Sequence, residues 1–237
     1  MRRQKWVDER ALRCQHLRMH RPIIFDFDGT IVDSEPLANR GLAEVLTELG
    51  FPTTYDEALA TYIGLRMTDC VSKIERVHGR KAPDNFAELC RARVTRLIEE
   101  HLQPVPGAVP FVRARAEGKI AIASSSRVVS IERSLERVGL TGVFDGRIFS
   151  AADLERGKPH PDIFLAAAQA LATRPRNCIA IEDSVFGVQS AVAAGMTVIG
   201  LTAGSHCSPT HWRTLADAGA HTTAGTYAEV ASHIARL

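Results

Sequence analysis

Two aspartates one residue apart, Asp26 and Asp28, directly follow the apolar run Ile23-Ile24-Phe25. In an extended strand residues two apart face the same way, so both carboxylates would project from the strand's end. Carboxylates held that close repel each other unless a cation or a shared proton intervenes. A hard divalent ion with oxygen ligands is the natural remedy. Gly29 and Thr30, next in the run, allow a sharp turn and offer backbone N–H groups and a hydroxyl to an anion. A solvated acidic turn would read the same way, because Asp-Gly is a common turn pair.

Three further groups stand at the ends of apolar runs. Ser124 closes Ile120-Ala121-Ile122-Ala123 and opens a serine run with Ser125. Its hydroxyl and the neighbouring amides could grip a phosphate or simply cap a helix. Lys158 lies in Gly157-Lys158-Pro159-His160-Pro161, where two prolines restrict the backbone and could aim the ammonium inward. Glu182-Asp183 follows Cys178-Ile179-Ala180-Ile181 and could cap the next helix or complete an oxygen cage for Mg2+.

These groups can meet only if the elements carrying them form one sheet. From Gly107 onward short apolar strands alternate with helices. Strands are expected at Lys119–Ala123, Ile148-Phe149, Cys178–Ile181 and Thr197–Leu201. Helices are expected near Pro110–Glu117, Val128–Val138, Pro161–Ala172, Val185–Ala194 and Pro209–Ala218. Such alternation implies an α/β fold, a Rossmann-like parallel sheet with helices on both faces, whose ligands bind beyond the strands' C-terminal ends. Between Pro36 and Gln103 the pattern is helical throughout, with Leu42, Val45, Leu46 and Leu49, then Val71, Ile74 and Val77, then Leu89, Val94, Leu97 and Ile98 at helical spacing. The expected organisation is an N-terminal extension at 1–21, an α/β core at 22–35 and 104–237, and an inserted all-α block at 36–103.

The 237 residues suffice for a sizeable core, and the apolar and charged fractions of 45% and 24% are ordinary for a globular protein. Residues 1–21 carry seven Lys/Arg against two acids, whereas the remainder carries 22 against 25, so the body is not a basic nucleic-acid binder. The extension could form a weakly amphipathic helix through Val7, Ala11, Cys14 and Leu17. Five scattered cysteines imply no disulfide framework and suit a reducing compartment. No apolar run reaches membrane-spanning length, and the first residues lack a secretion-signal core; a cytoplasmic location is expected. Trp212 and Phe186 read as packing residues and Cys178 as a buried, inert thiol. His206, Cys207 and His211 fit no standard zinc spacing and read as an ordinary polar loop, and His160 as turn packing.

Taken in this order, Asp26-Phe27-Asp28-Gly29-Thr30, Ser124, Lys158 and Glu182-Asp183 resemble the four motifs of the haloacid dehalogenase-like hydrolase superfamily. The runs Val32-Asp33-Ser34-Glu35, Gly157–Phe164 and Ile181–Gly187 are similar to its beta-phosphoglucomutase and sugar-phosphate phosphatase branch. The resemblance spans about Arg21 to Gly204. It implies a phosphatase acting on a small phosphorylated metabolite, a sugar or sugar-acid phosphate, through an aspartyl-phosphate. Asp26 would be the nucleophile and Asp28 the general acid and base. Mg2+ would be held by Asp26, the Asp28 main-chain carbonyl and Asp183, with Glu182 bound directly or through water. Ser124, Ser125 and Lys158 would hold phosphoryl oxygens, helped by Gly29 and Thr30. The helical block would be the branch's mobile cap, with Arg66 the expected contact to a substrate anion; its helices could equally form a dimer interface, leaving monomer and homodimer open.

A phosphomutase is the nearest alternative, but the cap-hinge histidine of those relatives is replaced here by Ala38. Dehalogenase and phosphonatase chemistry do not fit, since such enzymes lack the second aspartate present here as Asp28. A non-catalytic phosphometabolite-binding module is the alternative of another class.

Overall fold

The computed structural model describes residues 21–62, 65 and 67–237. The expected extension, apart from Arg21, and Arg66 lie outside the described residues. Six strands, β1 (Ile23–Phe25), β2 (Ile120–Ser124), β3 (Ile148–Ser150), β4 (Ile179–Glu182), β5 (Thr197–Leu201) and β6 (Thr222–Ala224), form one sheet in the order β3-β2-β1-β4-β5-β6. Every pairing is parallel. The order reverses between β1 and β4, so the crevice beyond that pair is where a ligand is expected in a doubly wound sheet.

The sheet is covered on both faces, which explains why β1, β2 and β4 are apolar without alternation. Alternate residues nevertheless go to different cores. Ile23, Phe25, Ile120, Ile122, Ile179 and Ile181 pack on one face, and Ile24, Ala121, Ala123 and Ala180 on the other. The first core is centred on Phe25, whose ring meets Phe111 and Phe144 edge-on at 6.1 and 6.0 Å. On the second face the alanines leave room for Phe164 and Val188 from the helices α7 (Asp162–Ala170) and α8 (Val185–Ala193). The first face is covered by α5 (Ala108–Arg113), α6 (Val128–Arg137) and α10 (Tyr227–Arg236); α9 (His211–Asp217) lies beside β5 and β6.

Four helices fill the insertion: α1 (Glu35–Glu48), α2 (Tyr55–Tyr62), α3 (Met67–His78) and α4 (Phe86–His101). They bury a separate apolar cluster that includes Leu46, Phe51, Ile74 and Phe86. The two crossings to the sheet run side by side: Asp33 N donates to Gln103 O at 2.9 Å and Val105 N to Ile31 O at 3.0 Å.

Some elements differ from expectation. Helix α5 starts two residues before Pro110, because Pro110 in the first turn forfeits only an amide that has no intrahelical partner anyway. Strand β6 and helix α10 were not read from the sequence; Thr222-Thr223-Ala224 is an edge strand without an apolar run. Trp212 and Phe186 are 46% and 48% exposed rather than packing residues: α9 buries only Leu215, and Phe186 lies opposite the inward face of α8 marked by Val188. Among the described residues, no helix is long and apolar enough to cross a membrane.

Candidate active site

The C-terminal ends of β1, β2 and β4 lie side by side, and the chain turns immediately beyond each. Asp26 follows β1, Ser124 ends β2, and Glu182 with Asp183 closes β4. Asp26, Ser124, Glu182 and Asp183 are all buried. Lys158 reaches them from the loop before α7. Its Nζ donates to Asp26 Oδ1 at 2.5 Å and to Glu182 Oε1 at 2.6 Å, with the lysine side chain only 6% exposed.

Each acid is placed by its local structure. Glu182 Oε2 accepts from the Ser184 amide at 2.7 Å and the Ser184 hydroxyl at 2.9 Å, and Ser184 in turn caps α8 by accepting from Gly187 N at 3.1 Å. A Cβ on Gly187 would stand 1.5 Å from Glu182 Oε1, so glycine is required for this approach of helix to acid. Asp183 Oδ1 accepts from the Thr30 hydroxyl at 3.1 Å, and Oδ2 lies 3.0 Å from His206 Nε2. His211 Nε2 lies 2.6 Å from the Asp183 carbonyl. Gly29, at φ 78°, brings the β1 turn so close that a Cβ there would sit 2.1 Å from Asp183 Oδ2. Beyond that turn, Tyr227 of α10 donates its hydroxyl to the Thr30 carbonyl at 2.9 Å.

Asp28 faces a different set. Its carboxylate accepts from Ser34 at 2.7 Å, Ser124 at 3.1 Å and Ser126 at 2.7 Å, so three hydroxyls from two loops fix its orientation.

Charge dominates the electrostatics. Burial, reinforced by Glu182, Asp183 and Asp28 against the opposing pull of Lys158, holds the Asp26 carboxyl well above the usual carboxylate range. Burial followed by the Glu182 charge raises Asp183 likewise. Burial alone would make Lys158 give up its proton more readily, but Asp26 and Glu182 outweigh it and hold the ammonium firmly charged. Glu35, at the start of α1, is pushed up to about 7 by burial and by the charges of Asp183 and Asp28.

Carboxylate oxygens of Asp26, Glu182 and Asp183 lie within 4.8 Å of one another. Three buried acids facing a single lysine form a hard, electron-rich oxygen set that fits Mg2+. Both oxygens of Glu182 already accept hydrogen bonds, which assigns it to holding Lys158 and the α8 cap.

Most expected residues converge: Asp26, Asp28, Gly29, Thr30, Ser124, Lys158, Glu182 and Asp183 form one site. Four readings differ from expectation. The Gly29 and Thr30 amides, expected to face an anion, donate instead to Val32 O at 2.7 Å and Phe27 O at 3.3 Å, because the turn closes on itself. The Thr30 side chain is fully buried, with its hydroxyl on Asp183. Ser125 is exposed, whereas Ser126 makes the contact to Asp28. His160 is exposed. Sequence reasoning also missed Ser34, Ser184, Glu35 and the two histidines on Asp183. Glu35 lay within the motif run, but histidines 23 and 28 residues beyond Asp183 carried no signal of their target.

A family model described as haloacid dehalogenase-like hydrolase matches residues 23–201. The 6-phosphogluconate phosphatase of Escherichia coli (strain K12) is 30% identical over 188 residues, covering 79% of this chain and 85% of its own. Hexitol phosphatase B of the same strain is 33% identical over 180 residues, covering 74% and 81%. Among solved structures, a haloacid dehalogenase-like protein from Agrobacterium tumefaciens superposes with a TM-score of 0.83 at 33% identity, covering 92% of this chain and 98% of its own.

Proposed function

Because the chain belongs to the haloacid dehalogenase-like hydrolase family, we propose that it is a magnesium-dependent phosphatase of a small phosphorylated metabolite, a sugar or sugar-acid phosphate, working through a phosphorylated Asp26. The observation that carries this reading is the buried Lys158 ammonium hydrogen-bonded to both Asp26 and Glu182 at the sheet's switch point. An aspartate carboxylate attacking an anionic phosphate ester meets Coulomb repulsion, and a fixed cation beside its oxygen offsets that repulsion.

In this mechanism an Asp26 oxygen forms a bond to phosphorus as the ester P–O bond breaks. Asp28 gives its proton to the departing alkoxide, and its carboxylate then removes a proton from water, whose oxygen displaces Asp26 from phosphorus. Covalent capture divides one difficult displacement into two easier ones. Ser34, Ser124 and Ser126 orient Asp28 for both transfers. Lys158, held by Glu182, orients Asp26 and the phosphoryl oxygens. Asp26, the Asp28 main-chain carbonyl and Asp183 would hold the Mg2+, which when bound supplies positive charge to the transferring phosphoryl group. The helices between Glu35 and His101 serve as a cap that excludes bulk water and selects the sugar, with Arg66 offered to a second anionic group of the substrate. The phosphatases of hexitol phosphate and 6-phosphogluconate named above support the substrate class. Among the described residues, four cysteines are free of disulfides, which fits a cytoplasmic setting.

The test is a panel of phosphorylated sugars, sugar acids and alditols assayed with Mg2+ and with EDTA. Cation-dependent phosphate release, absent in Asp26→Asn, is expected. Full turnover by that variant would remove Asp26 from the mechanism.

A further inference from the structure

His206, Cys207 and His211 lie on the loop after β5 and at the start of α9, and one donor atom from each falls within 4.8 Å of the others. Donors on a tetrahedral zinc stand roughly 3.5 Å apart, as follows from Zn–N and Zn–S bonds of about 2.0–2.3 Å. With all three donors inside 4.8 Å of one another, side-chain rotation suffices to reach that spacing. Cys207 Sγ lies 3.4 Å from Nε2 of the His206 ring, so thiol and imidazole are already in contact.

The His206 side chain is only 5% exposed, yet its Nδ1 is buried and has no hydrogen-bond partner among the described residues. A buried ring nitrogen without a partner loses its hydration for no return, about 1–3 kcal/mol. The other nitrogen, Nε2, lies 3.0 Å from Asp183 Oδ2. An imidazole steadied by a carboxylate through one nitrogen, with the other free, is the arrangement found around metal-ligating histidines.

We propose that His206, Cys207 and His211 form a second metal site, suited by its two imidazoles and one thiol to zinc or a similar thiophilic divalent ion rather than to magnesium. The donor set separates it chemically from the all-oxygen cluster of Asp26, Glu182 and Asp183. The surroundings favour a cation: the Asp183 carboxylate lies 3.0 Å from His206 Nε2 and the Asp183 carbonyl 2.6 Å from His211 Nε2. Binding releases the thiol proton as the sulfur–metal bond forms. A water would complete the coordination. The inference makes no use of the hydrolytic mechanism and stands or falls separately.

The test is titration of the metal-free full-length protein with Co2+, read by absorption. One equivalent should give an intense cobalt–thiolate charge-transfer band together with tetrahedral visible bands, both abolished by one equivalent of Zn2+. Asp26→Asn should keep the thiolate band, and Cys207→Ser should lose it. His211→Ala, with its fold checked by circular dichroism, should weaken Co2+ binding at least tenfold, which keeps the test sound if the serine variant misfolds. Absence of a thiolate band in the wild-type protein at saturating Co2+, or its persistence in Cys207→Ser, overturns the proposal.

Discussion

Asp26, Glu182 and Asp183 crowd a buried space in which Lys158 pairs with only the first two, and this imbalance makes the proton affinities of Asp26 and Asp183 levers on stability. A carboxyl whose folded pKa is raised contributes fully below its unfolded value near 4. That contribution is lost as pH rises through the folded value, because ionising then costs more in the native state. Asp183 is such a group. Asp183→Asn should therefore raise the Tm of the metal-free protein at pH 8 by about 2–4 °C, in contrast to its damage to turnover; a lower Tm in calorimetry with EDTA would contradict this. Glu35, pushed up to about 7, follows the same sign. The Tm advantage of Glu35→Gln over wild type should widen between about pH 4.5 and pH 7 and then level off; a difference independent of pH would show that Glu35 does not titrate there. Lys158→Met runs the other way, since it leaves buried acids uncompensated. It should lower Tm at pH 8 by about 6–12 °C and cut kcat at least 100-fold.

At the scale of elements, the site depends on how closely turns and helices approach the acids. Gly187 in the first turn of α8 is the clearest case, because any Cβ there would overlap the Glu182 carboxylate. Gly187→Ala should lower Tm by about 4–10 °C and reduce turnover, as Glu182 is driven off Lys158; a wild-type thermal profile would count against this packing. The same elements explain what could be read from the sequence. Ile23–Phe25, Ile120–Ala123 and Cys178–Ile181 are apolar runs ending in polar residues, and a strand buried on both faces leaves only its end to present chemistry. Asp26, Ser124 and Asp183 were legible for that reason. Ser34, Ser126 and His206 were not, because a loop residue's target is fixed by tertiary approach rather than by period. Strand β6 escaped because an edge strand of three residues needs no apolar run.

For the whole molecule, the helical block and the sheet meet at the paired crossings near Asp33 and Gln103 and at Arg137. From α6, the Arg137 guanidinium donates to the carbonyls of Glu99, Glu100 and Leu102 at the end of α4. Arg137→Ala removes this latch and should free the block to move. With the core intact, we expect KM to change more than kcat and protease cleavage near residue 102 to accelerate; an unchanged digestion rate would mean the latch does not restrain the block. The hydrogen bond from Tyr227 to Thr30 has a different bearing. It joins the turn after β1 to a helix 197 positions further along, and Lys158 likewise reaches back to Asp26 across 132 positions. During synthesis Asp26 and its turn therefore leave the ribosome well before Lys158 and Tyr227, the groups that hold them in the fold. The full set of contacts around this turn closes once the stretch carrying Tyr227 has been made and has docked.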